Sequence, residues 1–330
     1  MSIDTLHSTM KIADKHLLVG IFDGVKHHQS KGEVAPRGGF KCSFPAFPLS
    51  HKRTQILLKG PDPMKKNTVI AVANQKGGAG KTTSALNVGV CLQEKGYKVL
   101  LIDLDPQNSL TTTYLQHDYD PEQPTISELM NAMIERKTID AGKCICHNDV
   151  NNIDYIPTDI RLATVEKQLV VTRYSETVLQ RALKKSNYDY DYIIIDCPPS
   201  LSTLLYNALC AAQYVLVPVL AQKLALDGVP MLLDTVDEVK ENVNPALEVV
   251  GYIVSVYENN TKMSRDVVDT LKENFGDDYL GYISKSSAAA TSSVDGKAFS
   301  TYKVSSRNEY FNRLGGEYAA IVDKIIARTK

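Results

Sequence analysis

Lys76-Gly77-Gly78-Ala79-Gly80-Lys81-Thr82-Thr83 is the stretch whose reading decides the fold. It follows the apolar run Thr68-Val69-Ile70-Ala71-Val72-Ala73, which has the character of a buried strand. It precedes Ser84 to Leu92, whose apolar spacing predicts a helix. Strand, glycine loop, helix is the setting a phosphate-binding loop needs. Glycines let the backbone fold tightly enough for successive N–H groups to point at one anion. The helix N-terminus adds its partial positive charge at the same spot. In such a loop Lys81 reaches the β- and γ-phosphates of ATP and the Thr82 hydroxyl sits on Mg²⁺. The usual spacing, G-x-x-x-x-G-K-[ST], would place a first glycine at position 75, where this chain has Gln75 followed by a second lysine, Lys76. Two lysines this close repel each other unless phosphate neutralises both.

Bulk composition limits the classes of function. With 330 residues, 43% hydrophobic and 23% charged, the chain has the makeup of an ordinary globular protein. A formal net charge of −1 supplies no overall pull toward nucleic acid or anionic membrane, so any nucleic-acid contact must come from a local patch. The six cysteines are scattered, three of them inside apolar runs, which suits a reducing compartment better than a disulfide framework. Cys144-Ile145-Cys146-His147 is the one cluster, and without a second ligand pair it is a poor metal site. No run of about 18 apolar residues occurs, and the first 30 residues lack a continuous apolar core, so neither a transmembrane helix nor a signal peptide is expected. The expected location is cytoplasmic.

Residues 1–63 differ from the rest. They hold five of the seven histidines, four of the seven phenylalanines and none of the 17 tyrosines. Nine Lys/Arg against five Asp/Glu put their charge near +4, leaving the remainder near −5. Pro36-Arg37-Gly38-Gly39 and Phe44-Pro45-Ala46-Phe47-Pro48 break any helical or strand period. This atypical N-terminal extension reads either as a disordered basic arm or as upstream sequence translated from a start assigned too early. The second reading is favoured because Met64 stands just before the first strand. The functional domain is expected at 64–330.

From there apolar runs alternate with amphipathic segments. Strands are expected at 68–73, 99–102, 153–156, 192–195, 214–217 and 249–256. Helices are expected at 81–95, 126–136, 161–171, 175–186, 201–211, 226–242, 264–274 and 316–328. Thr125-Ile126-Ser127-Glu128 has capping-box spacing. Strands this apolar between helices predict a single α/β domain with a doubly wound, mostly parallel sheet covered on both faces. Ligands bind such sheets at the carboxyl ends of the strands. Two further strand ends carry acids: Asp103-Leu104-Asp105-Pro106-Gln107 and Asp196-Cys197-Pro198-Pro199-Ser200. Asp196 is placed to orient Mg²⁺ through water. Asp105 is placed to position a water for in-line attack on the γ-phosphate. Asp103 is the weaker candidate and suits a loop anchor.

With these motifs in place, the sequence resembles the ParA/Soj branch of the deviant Walker-A P-loop ATPases, the ParA/MinD group. Ile156-Pro157-Thr158, Asn207-Ala208-Leu209 and Ala225-Leu226-Asp227-Gly228 also match. The resemblance covers nearly all of 64–330 and none of 1–63. It implies a P-loop fold and slow, Mg²⁺-dependent ATP hydrolysis with Lys76, Lys81 and Asp105 as catalytic residues. Residues 76–83 would bind the nucleotide, with Lys76 crossing a homodimer interface to the partner's phosphates. ATP-bound dimers of the family bind DNA without sequence preference, and a ParB-like centromere-binding or activator protein stimulates hydrolysis and releases them. The implied role is segregation or positioning of plasmid, chromosomal or mobile-element DNA on the nucleoid. Where the family carries two arginines, this chain has Asn260 with Lys262 nearby, and Lys285, so the DNA surface is expected at Lys262, Arg265 and Lys285. Lys297, Lys303, Arg307 and Arg313 could extend it. Gln222 stands where the family has Glu. Two alternatives are a DNA-bound regulatory scaffold with slow turnover and a MinD-like membrane-surface ATPase. The second needs a separate amphipathic tail, whereas Ile321, Val322, Ile325 and Ile326 have core-packing spacing.

Overall fold

Alternate residues of the central strands point to opposite faces of one sheet, and both faces are buried. Val69, Ala71, Leu100, Ile102, Ile193 and Ile195 enter one core. Ile70, Val72, Leu101 and Ile194 enter the other. That is why these strands read as continuous apolar runs rather than as an alternation. The computed structural model describes residues 67–118, 120–186, 188–222, 228–305 and 308–330. The extension at 1–63 lies outside the described residues.

The strands are β1 (Thr68–Val72), β2 (Val99–Asp103), β3 (Cys146–Asn148), β4 (Ile153–Ile156), β5 (Tyr192–Asp196), β6 (Tyr214–Leu220), β7 (Glu248–Tyr257) and β8 (Tyr279–Ser284). The helices are α1 (Lys81–Glu94), α2 (Ile126–Ile134), α3 (Leu162–Val170), α4 (Val178–Ser186), α5 (Thr203–Ala211), α6 (Gly228–Asn242), α7 (Lys262–Phe275), α8 (Ala288–Asp295) and α9 (Glu309–Thr329). The sheet order is β3-β4-β2-β5-β1-β6-β7-β8, parallel except for β3 against β4. Helices α2 to α7 cover one face. Helices α1, α8 and α9 cover the other. The chain leaves β1 through α1 and returns at β2 on the far side of β5. A crevice at such a topological switch lies beside the carboxyl end of β1.

The expected α/β architecture is present, with two strands and a helix more than the apolar runs suggest. β3, Cys146-His147-Asn148, is too short and too polar to stand out. β8, Tyr279-Leu280-Gly281-Tyr282-Ile283-Ser284, buries only Leu280 and Ile283 because it is the sheet edge. α8, Ala288–Asp295, carries mostly small residues and has no apolar stripe. α9 begins at Glu309, seven residues before the expected start at 316, since Gly315-Gly316 lies inside it; a Cβ at Gly315 would stand 3.2 Å from the Ser300 backbone. The capping box holds: the Thr125 hydroxyl accepts from Ser127 N–H, and Glu128 reaches back to Thr125 N–H at 2.9 Å. β7 skips Val250 in its register with β6, and at the next residue, Gly251, a Cβ would stand 2.7 Å from the Asp278 carbonyl and 2.5 Å from Leu280. A glycine there lets β7 and β8 lie side by side.

Candidate functional site

The glycine loop leaves β1 and closes on the first turn of α1. Gly78 (φ +74°) and Gly80 (φ +84°) both occupy the left-handed region, which costs an L-residue with a side chain about 1–2 kcal/mol. The loop is held from three sides. Asn74 donates Nδ2–H to the Pro218 carbonyl on β6 at 2.6 Å and accepts the Lys76 N–H at 2.9 Å. The Ser255 hydroxyl on β7 donates to the Ala79 carbonyl at 2.8 Å. Neither Asn74 nor Ser255 is singled out by motif reading. Each lies at the carboxyl end of its strand, and only the sheet order brings them to the loop. Gly77 and Gly78 are exposed, and among the described residues, their immediate chain neighbours aside, no atom lies within 4 Å of where their Cβ would be. Lys76 is half-buried, Lys81 is buried at the start of α1, and Thr82 and Thr83 are half-buried behind it.

The acidic ends converge because their strands are neighbours. In the sheet register Val72 pairs with Asp196, and Asp196 with Asp103. Asp196 is fully buried, and neither carboxylate oxygen has a hydrogen-bond partner. Burial pushes its pKa well above the ordinary carboxylate value, the Asp103 charge adds to this, and Thr82 and Lys81 offset part of it. Thr82 faces the carboxylate without a well-formed hydrogen bond. A buried, unpartnered carboxylate beside a threonine hydroxyl and a lysine is an arrangement that a hydrated divalent cation completes.

Asp103 is differently placed. Its Oδ1 accepts Asp105 N–H at 3.2 Å, and its Oδ2 accepts both Thr111 N–H at 2.8 Å and the Thr111 hydroxyl at 2.7 Å. Burial raises it to about 6 against those donors. With both oxygens occupied, it anchors its loop. Asp105 projects from the loop after β2 and is 9% exposed. Its Oδ1 accepts the Gln107 N–H at 3.0 Å. Burial raises its pKa, and the Gln107 N–H and the Lys81 charge lower it. The three acids, Lys81 and the glycine loop therefore share one corner of the sheet.

The basic candidates sit apart from this corner, around the loop between β7 and α7. β7 ends in a bulge with Val256 at φ +58°, a strained position for a β-branched residue. Beyond it, Lys285 Nζ pairs with Glu258 at 2.9 Å. Arg265 donates to the Asn259 carbonyl at 3.2 Å. Lys262 opens α7 behind the Thr261 cap and is exposed. Lys297 lies over the Tyr302 ring, Lys303 is exposed, and Arg307 falls outside the described residues. Among the described residues no group of three metal-ligating side chains occurs, so the Cys144–His147 cluster forms no such group. A groove of about 620 Å³ opens at the amino ends of β2 and β4 around Tyr97, His147, Asp154 and Tyr190, away from the glycine loop. No described helix is long and apolar enough to cross a membrane.

A glycine loop on β1–α1 flanked by acidic ends of the two adjacent strands defines a P-loop nucleoside triphosphatase. The model of a family described as an AAA domain matches residues 67–249. The sporulation initiation inhibitor protein Soj of Bacillus subtilis is 38% identical over 254 residues, 76% of this chain and 98% of Soj. The chromosome partitioning protein ParA of Caulobacter vibrioides is 37% identical over 211 residues, 63% of this chain and 77% of that protein. Among solved structures, a putative plasmid partition protein of Borrelia burgdorferi bound to AMPPNP superposes with a TM-score of 0.63 at 26% identity, covering 80% of this chain and 99% of the other. The chain belongs to the ParA/Soj family of P-loop ATPases.

Proposed function

We propose that this protein is an ATP-hydrolysing dimeric switch that segregates or positions DNA. The observation that carries the reading is Asp196, which faces the glycine loop with two buried, unpartnered oxygens. Thr82 and Asp196 would hold Mg²⁺, Asp196 through water, and the ion supplies charge neutralisation at the β- and γ-phosphates. The AMPPNP in the Borrelia structure supports an ATP-type ligand. Backbone N–H groups of 77–82 and the α1 N-terminus receive the phosphates. Lys81 stays close to the γ-phosphate and offsets charge that builds on it in the transition state. Asp105 orients the attacking water.

Lys76 acts across a homodimer interface, on the phosphates bound by the partner copy. The bare approach at Gly77 and Gly78 supports a close contact there. ATP binding thereby sets assembly, and hydrolysis releases it. The names of the Soj and ParA relatives support chromosome or plasmid partition as the setting, with non-specific DNA as track and a ParB-like protein as activator. Lys262, Arg265 and Lys285 form the proposed DNA contact. The ATPase domain spans 64–330, and the location is cytoplasmic on the nucleoid. The apolar side of α9, including Ile321, Val322 and Ile325, is buried in the core rather than free for a membrane.

The test is phosphate release by the full chain with Mg-ATP, with and without random-sequence duplex DNA, beside Asp105→Ala. Slow turnover, raised by DNA and lost in the variant while ATP binding persists, is expected. Equal turnover in the Asp105 variant removes that residue from its role. ATP-independent DNA binding overturns the switch.

A further inference from the structure

Between β2 and α2 the chain makes a π-helical turn, Leu110–Tyr114, a rare conformation that recurs at functional sites. We propose that Thr111, in this turn, is a positioning residue for Asp105, acting through Asp103 to hold the Asp105 loop against the phosphate site. The inference rests on the hydrolytic reading above and adds a residue to it. Thr111 is 1% exposed. Its N–H and hydroxyl both donate to Asp103 Oδ2, leaving Asp103 Oδ1 to accept Asp105 N–H. Having donated its proton, the Thr111 oxygen accepts Thr158 N–H at 3.0 Å. One hydroxyl thus ties together the loop ends of β2 and β4.

The other hydrogen bonds of Asp105 itself are local. Its carbonyl accepts Asn108 N–H at 2.8 Å, and its side chain accepts Gln107 N–H, both within the same loop. The bond from Asp105 N–H to Asp103 folds the loop back on the end of β2, one residue beyond the Leu104 N–H that donates to the Asp196 carbonyl at 3.0 Å. At the other end of the π turn, the Tyr114 hydroxyl lies 2.7 Å from Thr83 Oγ1, next to the proposed metal-side Thr82. The same turn therefore touches both the Asp105 side and the Thr82 side of the phosphate site. A displacement near 1 Å at such a position costs on the order of 100-fold in rate, because water and phosphate must be aligned for attack.

The experiment compares full-length wild type, Thr111→Val, Thr111→Ala and Thr111→Ser. It reads Mg-ATP turnover, affinity for a fluorescent non-hydrolysable ATP analogue and thermal melting. Thr111→Val is expected to lower kcat by ~10- to 100-fold, with KM and analogue affinity within about threefold of wild type. Thr111→Ser keeps the hydroxyl and is expected within about threefold of wild type throughout. If Val does not fold at the assay temperature, Ala gives the same comparison without the branched side chain. A kcat near wild type in the Val or Ala variant overturns the inference. So does an equal loss in the Ser variant, or a loss that follows analogue affinity rather than kcat. A wild type without ATP turnover overturns the hydrolytic reading instead, and this inference with it.

Discussion

Among the described residues, Asp196 is the one carboxylate with both oxygens buried and unbonded. Burial and the Asp103 charge raise its pKa, so the folded state holds the proton more tightly than the unfolded chain. The contribution of a carboxyl raised in this way is fully present below its unfolded value, about 4, and is lost as pH rises toward its folded value. Asp103, raised to about 6, behaves in the same sense. The nucleotide-free protein should therefore gain melting temperature from Asp196→Asn, with a gain that is small near about pH 5 and larger near about pH 8. Melting scans across that range check it, and a gain that shrinks with pH contradicts the burial argument. Gly80→Ala is expected to destabilise by about 1–2 kcal/mol from the left-handed backbone alone. It should also weaken nucleotide binding, because relaxing the left-handed φ of +84° shifts the loop that Ser255 holds through the Ala79 carbonyl. Denaturant unfolding and nucleotide titration separate the two effects. The glycine loop was legible in the sequence because its chemistry is local, and the roles expected of Asp105 and Asp196 rest on equally local motifs. Asn74, Thr111 and Ser255 were not legible, since each acts on a partner in another segment, at distances along the chain that no short motif spans.

Several elements are fastened by single side chains. Asn207 on α5 donates to the Ser175 and Thr203 carbonyls at 2.8 Å and accepts Leu179 N–H at 3.0 Å. Its presence in a family-like motif thus has a structural reason: it joins α5 to the start of α4. Asn207→Ala should cost about 2–3 kcal/mol, because the Leu179 N–H is left buried without an acceptor. Chemical denaturation measures this, and a loss below about 0.5 kcal/mol would show the turn re-forming without it. At the sheet edge, α9 covers exposed backbone of β8. Lys324 donates to the Leu280 carbonyl at 2.6 Å, and Glu317 accepts Ser284 N–H at 2.7 Å. This edge explains why β8 escaped the apolar-run reading. A strand with one neighbour and side-chain caps need not be apolar on both faces.

At the scale of the whole molecule, the proposed switch needs two surfaces, one for the partner copy and one for DNA. Lys76→Ala should retain ATP binding but lose ATP-dependent dimerisation in sedimentation experiments, since its proposed target is the partner's phosphate. A dimer unchanged by the substitution assigns the interface elsewhere. For DNA, the two lysines are not equivalent. Lys285 is already paired with Glu258, whereas Lys262 is exposed at the start of α7. Lys262→Ala should reduce the slope of log affinity against log salt by about 1, with a smaller change for Lys285→Ala. Equal slopes in wild type and the Lys262 variant move the DNA surface off α7.

The sequence by itself determined the class of fold and the phosphate chemistry. Apolar strands buried on both faces leave a period that survives in one dimension, and a glycine loop needs only neighbours in the chain. It also exposed Lys76 as the residue that sets this loop apart. The sequence also suggested a role for each acid, but only the tertiary structure shows which acid is already bonded. Asp103 and Asp196 both end apolar strands, yet hydrogen bonds from Thr111 and Asp105 satisfy one and leave the other bare. That difference arises from sheet order and from a π turn, and neither is written in the strand sequences themselves.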